Sequence, residues 1–433
     1  MATTKVKGHS GINAFKQRVE GRPWFEAGQP LDGQEAERYL EEIYQNRNGS
    51  SSPYCIYVHI PFCATICSFC ALYTHAIQQN FDSVFDEFLE MIQLQVNSHK
   101  ASALNQPPTT VHFGGGTPLH IGMNRFKELT DALRNNFGDS DTCEWAIETT
   151  TSSITRDILD PLEEMRIQRI HLGIQTLNNE IRRHIGRHEQ GEIALEKIRL
   201  LRAKSFFLSI DLIIGFEQST ESIVWDDLCQ LYDAGIRMFS ICELRHRRKT
   251  PVSDEQLQNE SRRNYRFWEI IWQFMEDHDL IPIHLGQFAR TYEDNLYFTH
   301  PARNEDCIAI GPYAHGSVKD LYYGNKLLPD YYDSLRKGKS PIGIALKYNH
   351  EVQVIRDLEK GLLAHRISES TINNMRFVYP TEFNSILDHW LAHSLIREFP
   401  KGNGFCLSKE GSWFVGNMIT QLRQLVRQTS SGS

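Results

Sequence analysis

The sequence predicts an α/β fold: a parallel sheet rolled into a partial barrel with helices outside, followed by a smaller, mostly helical domain. Two patterns predict it. Between Tyr54 and about Ala289, short apolar runs of strand length alternate with stretches of helical periodicity, about six times over. After about Pro312 the alternation stops, and residues 350–430 read as mostly helical. With one helix in nearly every gap, a barrel or open part-barrel is favoured over a doubly wound sheet.

Taken in order, residues 1–53 form a polar, turn-rich N-terminal arm with one short helix from about Gln34 to Gln45. The strand candidates are Tyr54–His59, Thr110–Phe113, Trp145–Glu148, Arg169–Ile174, Phe206–Ile214, Met238–Cys242 and Ile281–Leu285. Between the first two, Phe81, Val84, Phe85, Phe88, Ile92 and Val96 fall mostly at spacings of three and four, one apolar face of a helix. Further helices are predicted near 123–136, 155–165, 190–204, 220–234 and 254–277, and the barrel unit spans 54–320. In the C-terminal domain, 321–429, Ser394–Phe399 and Gly404–Ser408 alternate apolar and polar residues and predict a small hairpin. Helices followed by a hairpin make that domain winged-helix-like, and residues 430–433 read as a flexible tail.

Composition narrows the function. The chain has 433 residues, 40% hydrophobic and 23% charged, enough for a full core without disulfide staples. A net charge of −8 argues against broad binding to nucleic acid or an anionic membrane. No run reaches the ~18 apolar residues of a membrane span, and Met1–Lys7 holds no apolar signal core, so a cytoplasmic protein is expected. Nine cysteines, an odd number, do not suggest a disulfide framework in that compartment. The basic run Arg245, His246, Arg247, Arg248 and Lys249 reads either as a solvated loop or as a grip for a carboxylate-bearing small molecule.

Cys63, Cys67 and Cys70 place three thiols within one short loop, straight after an apolar run. They cannot all pair, and they lack the two-plus-two layout of a zinc ribbon. Three thiolates can hold three irons of a [4Fe–4S] cluster and leave the fourth iron open, which a catalytic cluster needs. Cys55, Cys143, Cys229, Cys242, Cys307 and Cys406 are scattered and read as small core residues.

The CxxxCxxC loop in its setting Tyr57-Val58-His59-Ile60-Pro61-Phe62-Cys63 resembles the radical S-adenosylmethionine (radical SAM) enzymes, in the branch of oxygen-independent coproporphyrinogen III oxidase. Further motifs of that branch follow in order: His112–Pro118 with its glycine triplet, Arg169–Gln175, Asp211–Gly215 and Ile310–Gly316. The resemblance covers about Tyr54 to Gly324 and implies a partial (β/α)6 TIM-like barrel. It implies a [4Fe–4S] cluster on Cys63, Cys67 and Cys70, with SAM bound through its amino and carboxylate groups on the open iron. Electron transfer from the cluster then breaks a C–S bond of SAM and yields a 5′-deoxyadenosyl radical.

The resemblance also assigns roles. Gly114, Gly115 and Gly116 offer a backbone that can approach a ligand closely, where a Cβ would intrude, and Thr117 adds a hydroxyl. Glu148 is implied to take the SAM ammonium or ribose, Gln175 and Arg187 the ribose and carboxylate, and Asp211 a ribose hydroxyl; Phe69 joins the SAM-binding set. Tyr57 touches the cluster–SAM pair. Glu148, Gln175 and Glu243 lie at or past the C-terminal ends of predicted strands, the rim that carries active sites in (β/α) barrels. Glu243 reads equally as a solvated rim residue. Among the histidines, His59 and His315 lie within motifs; His75, His284 and His300 read as surface or hydrogen-bonded core.

Three groups of the branch come into question. Coproporphyrinogen oxidases carry a further cysteine two residues after the third ligand, where this chain has Leu72, and their N-terminal substrate motif is not visible before Tyr54. The haem chaperone has a similar cluster loop. The haem-utilisation radical SAM methyltransferases (anaerobilin synthases) match best, through the arm with Phe15, Arg18 and Pro23–Pro30, the Cys70-Ala71-Leu72-Tyr73 loop and Gly215–Gln218. That resemblance implies anaerobic haem degradation: radical methylation and opening of the macrocycle to a linear tetrapyrrole, with iron release. It implies two SAM molecules, the second around Gln287 and Phe288, haem as substrate with its propionates near Arg245–Lys249, a flavodoxin- or ferredoxin-type electron donor and a haem-uptake partner protein. Tyr322, Tyr323, Tyr331 and Tyr332 read as porphyrin-stacking or as core.

Overall fold

The computed structural model describes residues 14, 15, 18, 27–46, 53–77, 81–99, 106–244, 254–291, 295–303, 305–399 and 403–430. Six parallel strands form the centre of one sheet: β1 (Tyr54–Ile60), β2 (Thr110–Gly115), β3 (Glu144–Thr150), β4 (Arg169–Gln175), β5 (Phe207–Ile214) and β6 (Phe239–Glu243). Helices Asp82–Ser98, Met123–Phe137, Leu159–Glu164, Gly191–Arg202 and Glu221–Asp233 connect them, and Asp254–Asp277 follows β6. The predicted helix at 155–165 is split, with a single 3-10 turn at Arg156–Ile158 ahead of Leu159–Glu164.

Side chains alternate across each strand. Ile56, Val58 and Ile60 of β1, Val111 and Phe113 of β2 and Ile170, Leu172 and Ile174 of β4 are buried in the apolar core shared with the helices. The opposite phase carries Tyr57, His59, His112, Glu148, His171, Ser209, Asp211 and Ser240, so the barrel's inner face is polar and aromatic. The lower part of that interior is filled by a plug, helix Leu296–Thr299 and the 3-10 turn His300–Arg303. Its Tyr297 stacks on His112 at 4.0 Å between ring centres, and Phe298 packs edge-on against His171 at 5.4 Å.

The sheet continues beyond both edges of the six. At one edge β7 (Ile281–His284) and β8 (Gln287–Ala289) form an antiparallel hairpin, and β8 pairs with β6. The seventh predicted strand therefore exists but is not parallel. Gly286 turns the chain back at φ +69°, where a Cβ would lie 2.3 Å from the carbonyl oxygen of Ile241. At the other edge β9 (Asp306–Ile310), absent from the predicted set, pairs in parallel with β1. Three antiparallel strands follow, β10 (His315–Val318), β11 (Leu321–Asn325) and β12 (Ile342–Lys347), and the short strand Gln29–Pro30 of the arm closes that edge. The division drawn at 320/321 falls in the β10–β11 turn, and the sheet runs on to Lys347. The arm's helix is Gly33–Gln45, with Asp32 and Glu35 forming a capping box.

In the C-terminal region helices His350–Leu363, Glu369–Val378 and Glu382–Ala392 precede the hairpin Ile396–Glu398 and Gly404–Leu407, which Ile367–Ser368 extends to three strands. This is the winged-helix-like arrangement expected. It docks on helix Asp254–Asp277: Trp268 Nε1 donates to the Lys409 carbonyl at 3.1 Å, and Trp413 packs against Tyr265 and Trp268. Among the described residues no helix is long and apolar enough to cross a membrane.

At the base of the barrel Arg169 and Glu144 form a buried pair, Nε to Oε2 at 2.9 Å, with side chains 5% and 10% exposed. Removing one member leaves the other charge buried and unpaired. Arg169→Ala is expected to destabilise the fold by about 3 kcal/mol in urea unfolding, with part of the loss recovered in the Arg169→Ala/Glu144→Ala double variant.

Candidate functional site

The cysteine loop leaves the barrel mouth at the end of β1. Phe62, fully buried, is wedged edge-on between Phe85 and Phe88 at 5.4 and 4.9 Å and anchors the entry to the loop. The exit is tied back by His75 N–H to the Pro61 carbonyl at 2.6 Å and Ile77 N–H to the Cys63 carbonyl at 2.9 Å. Between these ties Cys63, Cys67 and Cys70 are each half-buried, while Ala64, Thr65, Ile66 and Ser68 face solvent. Burial raises the Cys63 thiol above its ordinary range; the Thr117 hydroxyl, 3.7 Å from its sulfur, opposes this, and the other two loop thiols add to it.

The glycine triplet ends β2 against this loop. Gly116 N–H donates to the Ile60 carbonyl at 2.8 Å and Thr117 N–H to the Phe62 carbonyl at 2.7 Å. A Cβ on Gly116 would lie 2.4 Å from the Phe62 oxygen, one on Gly115 (φ +107°) 2.8 Å from the His59 ring, and one on Gly114 2.9 Å from the Glu148 carboxylate. The missing Cβ space is taken by the protein itself: the cysteine loop's own backbone, His59 and Glu148.

Glu148 receives His112 Nε2–H at 2.9 Å and Gly115 N–H at 3.3 Å, with its side chain 29% exposed. Burial pushes its carboxyl up, but His112, the Gly115 N–H and His59 outweigh burial and hold it below the usual carboxylate range. His59 is pushed down to about 4 by burial and is therefore neutral. Its Nε2 faces the Tyr73 carbonyl at 3.0 Å, which can only accept, so Nδ1 accepts from the Tyr57 hydroxyl at 3.0 Å. Tyr57 thus presents its ring to the interior, stacked near His112 and Tyr297.

Gln175 and Arg187 meet on the other side of the mouth. Gln175 sits at φ +69°, and the missing Cβ of Gly173 leaves room for its Nε2 and for Arg187 Nη2. The Arg187 guanidinium lies 6.0 Å from the Phe69 ring, which packs edge-on to Phe216. Asp211, Ser240 and Gln287 form a row across β5, β6 and β8. Asp211 is pushed up to about 7 by burial and by the Glu148 charge, with the Ser240 hydroxyl opposing. Phe288, by contrast, is buried against Trp268 and Trp272 and faces away from the mouth. Glu243 is engaged rather than solvated: Arg18 of the arm pairs with it, and Asn264 Nδ2 donates to it at 2.8 Å.

The remaining expectations divide. Tyr323 and Tyr331 are core, Tyr322 bonds His315 at 2.8 Å, and Tyr332 is buried, so the stacking reading loses to the core one. Arg245–Lys249 lie outside the described residues. Cys242 is exposed and Cys229 and Cys406 half-buried, against the core reading given to them. His112 carries more of the site than its motif alone announced; its inward phase on β2, two residues before Gly114, was the available signal.

The donor set fits the [4Fe–4S] cluster and SAM that the motifs imply. Three loop thiols suit three irons, and beside them two buried polar atoms, Gln175 Oε1 and Arg187 Nε, have no hydrogen-bond partner among the described residues. A guanidinium N–H suits a carboxylate, and an amide oxygen suits a hydroxyl or ammonium.

Two outcomes follow. Gly116→Ala must shift the Phe62 backbone and is expected to cut iron bound per chain several-fold after anaerobic reconstitution, read by colorimetric iron assay. Asp211 binds its proton more tightly folded than unfolded, so it costs stability as pH rises from about 4 through about 7. Asp211→Asn is therefore expected to raise Tm relative to the parent by a margin that grows from pH 5 to pH 8.

Residues 57–228 match the radical SAM superfamily. Over nearly its whole length the chain is similar to anaerobilin synthase of Escherichia coli O157:H7, 24% identical over 96% of this chain and 94% of that protein. It is similar to oxygen-independent coproporphyrinogen III oxidase of Pseudomonas aeruginosa, 26% identical over 92% and 87%, and to a haem chaperone of Bacillus subtilis, 23% identical over 78% and 92%. Among solved structures, coproporphyrinogen III oxidase from Escherichia coli superposes with a TM-score of 0.74 at 19% identity, over 89% of this chain and 93% of that one. The chain carries a radical SAM domain over residues 57–228 and has the fold of coproporphyrinogen III oxidase.

Proposed function

We propose that this radical SAM enzyme degrades haem anaerobically, methylating and opening the macrocycle to a linear tetrapyrrole with release of iron. The observation that carries the reading is an apolar rim beside the cysteine loop. Ile66 is 49% exposed, Leu72 60% and Tyr313 39%, and the Tyr73 and Tyr313 rings lie 5.0 Å apart. A flat, apolar macrocycle suits such a rim, where its burial gains about 25 cal/mol per Å² of apolar surface. Leu72 stands where coproporphyrinogen oxidases have a further cysteine, and the likeness to anaerobilin synthase runs the length of that protein.

When bound, the cluster and SAM supply one-electron chemistry that starts radical reactions. The chain's own residues bind and orient. Cys63, Cys67 and Cys70 hold the cluster, and Thr117 donates a hydrogen bond to Cys63. Glu148, kept ionised by His112 and the Gly115 N–H, receives an ammonium or ribose hydroxyl of SAM. Arg187 takes the carboxylate, Gln175 the ribose, and Phe69 covers the apolar side. Tyr57, its hydroxyl committed to His59, sets the floor of the site. In this reading Asp211 and Gln287 would hold a second SAM, which the buried Gln287 Oε1, unpartnered among the described residues, supports. Electrons come from a flavodoxin- or ferredoxin-type donor.

The test is anaerobic incubation of iron-reconstituted protein with haem, SAM and a low-potential reductant, followed by absorbance and mass spectrometry. Loss of the Soret band with a methylated linear tetrapyrrole is expected. An intact Soret band with haem retained points instead to the chaperone reading. Decarboxylation of coproporphyrinogen under the same conditions establishes the oxidase.

A further inference from the structure

A second group of soft donors lies at the opposite end of the barrel from the cysteine loop. Cys55 near the start of β1 is paired in register with Cys307 near the start of β9. Both thiols are buried, 0% and 5% exposed. His300 of the plug completes the group, and one ligand atom from each of the three lies within 4.8 Å of the other two. Among the described residues no other three His, Cys, Asp or Glu side chains converge so closely. The loop thiols Cys63, Cys67 and Cys70 do not meet that limit; their wider spread suits a cluster of irons, and the tighter group suits one ion.

The surroundings hold the three in place. His300 Nδ1 faces the Tyr297 carbonyl, which can only accept, so the ring proton sits there and Nε2 is left as a donor atom. A backbone carbonyl fixing the far nitrogen is the usual support of a metal-binding histidine. The link from His300 to Cys307 is tied down twice. Glu305 N–H donates to the His300 carbonyl at 3.1 Å, and Glu305 receives Arg303 at 2.6 Å and the Thr109 hydroxyl at 2.7 Å. Thr109 N–H in turn donates to the Tyr54 carbonyl at 2.8 Å, next to Cys55. Two segments distant in sequence, one with Cys55 and one with His300 and Cys307, thus deliver three donors to one point, from positions fixed by neighbours.

We infer that Cys55, His300 and Cys307 form a metal site for a borderline divalent cation, zinc by preference. Zinc takes thiolate sulfur at about 2.3 Å and imidazole nitrogen at about 2.0 Å, so these ligands stand roughly 3.5–3.8 Å apart in a tetrahedral site, a separation that falls inside the 4.8 Å within which the three donor atoms lie. The fourth position falls to water or another small ligand. The ion would clamp β9 to β1 and hold the plug beneath His112, a structural role separate from the chemistry at the mouth.

The test uses the full chain with Cys63→Ser, Cys67→Ser and Cys70→Ser, so that the loop cannot hold metal. After exposure to zinc sulfate and dialysis, about one zinc per chain is expected by plasma mass spectrometry. Adding Cys307→Ser or Cys55→Ser should reduce it to background, while adding Cys143→Ser, a buried thiol outside the group, should not. Zinc at background in the triple variant, zinc retained after Cys307→Ser, or a Cys55–Cys307 disulfide in the intact mass overturns the inference. Should the Cys307 variant fail to fold, cobalt substitution in the triple variant decides. A thiolate-to-cobalt charge-transfer band supports the site, and its absence overturns it.

Discussion

The barrel mouth is organised by the contact between a carboxylate and a strand end that has no side chains. Glu148 lies against Gly114, takes the N–H of Gly115 and is steadied by His112 from the neighbouring strand. One residue on, Gly116 lies against the backbone that leads into Cys63. The three glycines thus let the second strand approach the first closely enough to fix both the carboxylate and the cysteine loop. A fixed carboxylate also sets the electrostatics around it, raising Asp211 two strands away. Geometry and charge at the mouth share one origin.

Polar groups inside a barrel are costly unless they are hydrogen-bonded or put to use. Here part of that cost is met by internal pairing, Arg169 with Glu144 and His112 with Glu148, although Glu144 Oε1 and His112 Nδ1 keep no partner among the described residues. Higher up, pairing is incomplete at Gln175, Arg187 and Gln287. The unpartnered atoms of Gln175, Arg187 and Gln287 are ones that a molecule bound at the mouth can complete. Asp211 follows the same logic, a carboxyl held at a position that disfavours its charge.

Most of the barrel was legible because its strands alternate. A run such as Tyr54–Ile60 places apolar residues outward and Tyr57 and His59 inward, and the helices between carry plain three-and-four spacing. What stayed illegible was pairing between distant segments. Nothing local in Asp306–Ile310 says that it lies beside β1, and Ile281–Leu285 has strand character whether its neighbour runs parallel or antiparallel. The same holds at the site. The cysteine loop and the glycine triplet announce themselves by spacing, but Glu148 against Gly114, Arg187 beside Phe69 and Arg18 against Glu243 are contacts of tertiary origin. The meeting of Cys55 with Cys307 was hidden for this reason, since each looks like an isolated core thiol.

Arg18 joins parts of the chain that are made at very different times. It pairs with Glu243 on the barrel rim, donates through Nε to the Trp413 carbonyl at 2.9 Å and lies over the Trp413 ring at 3.9 Å. The strand Gln29–Pro30 likewise waits for Ile342–Lys347. During synthesis the first residues to emerge are therefore among the last to find their places. Until Trp413 has left the ribosome, Arg18 lacks the carbonyl and the ring that hold it beside Glu243. The contact that joins arm, rim and C-terminal region is therefore made only after the barrel strands and the cysteine loop have been translated.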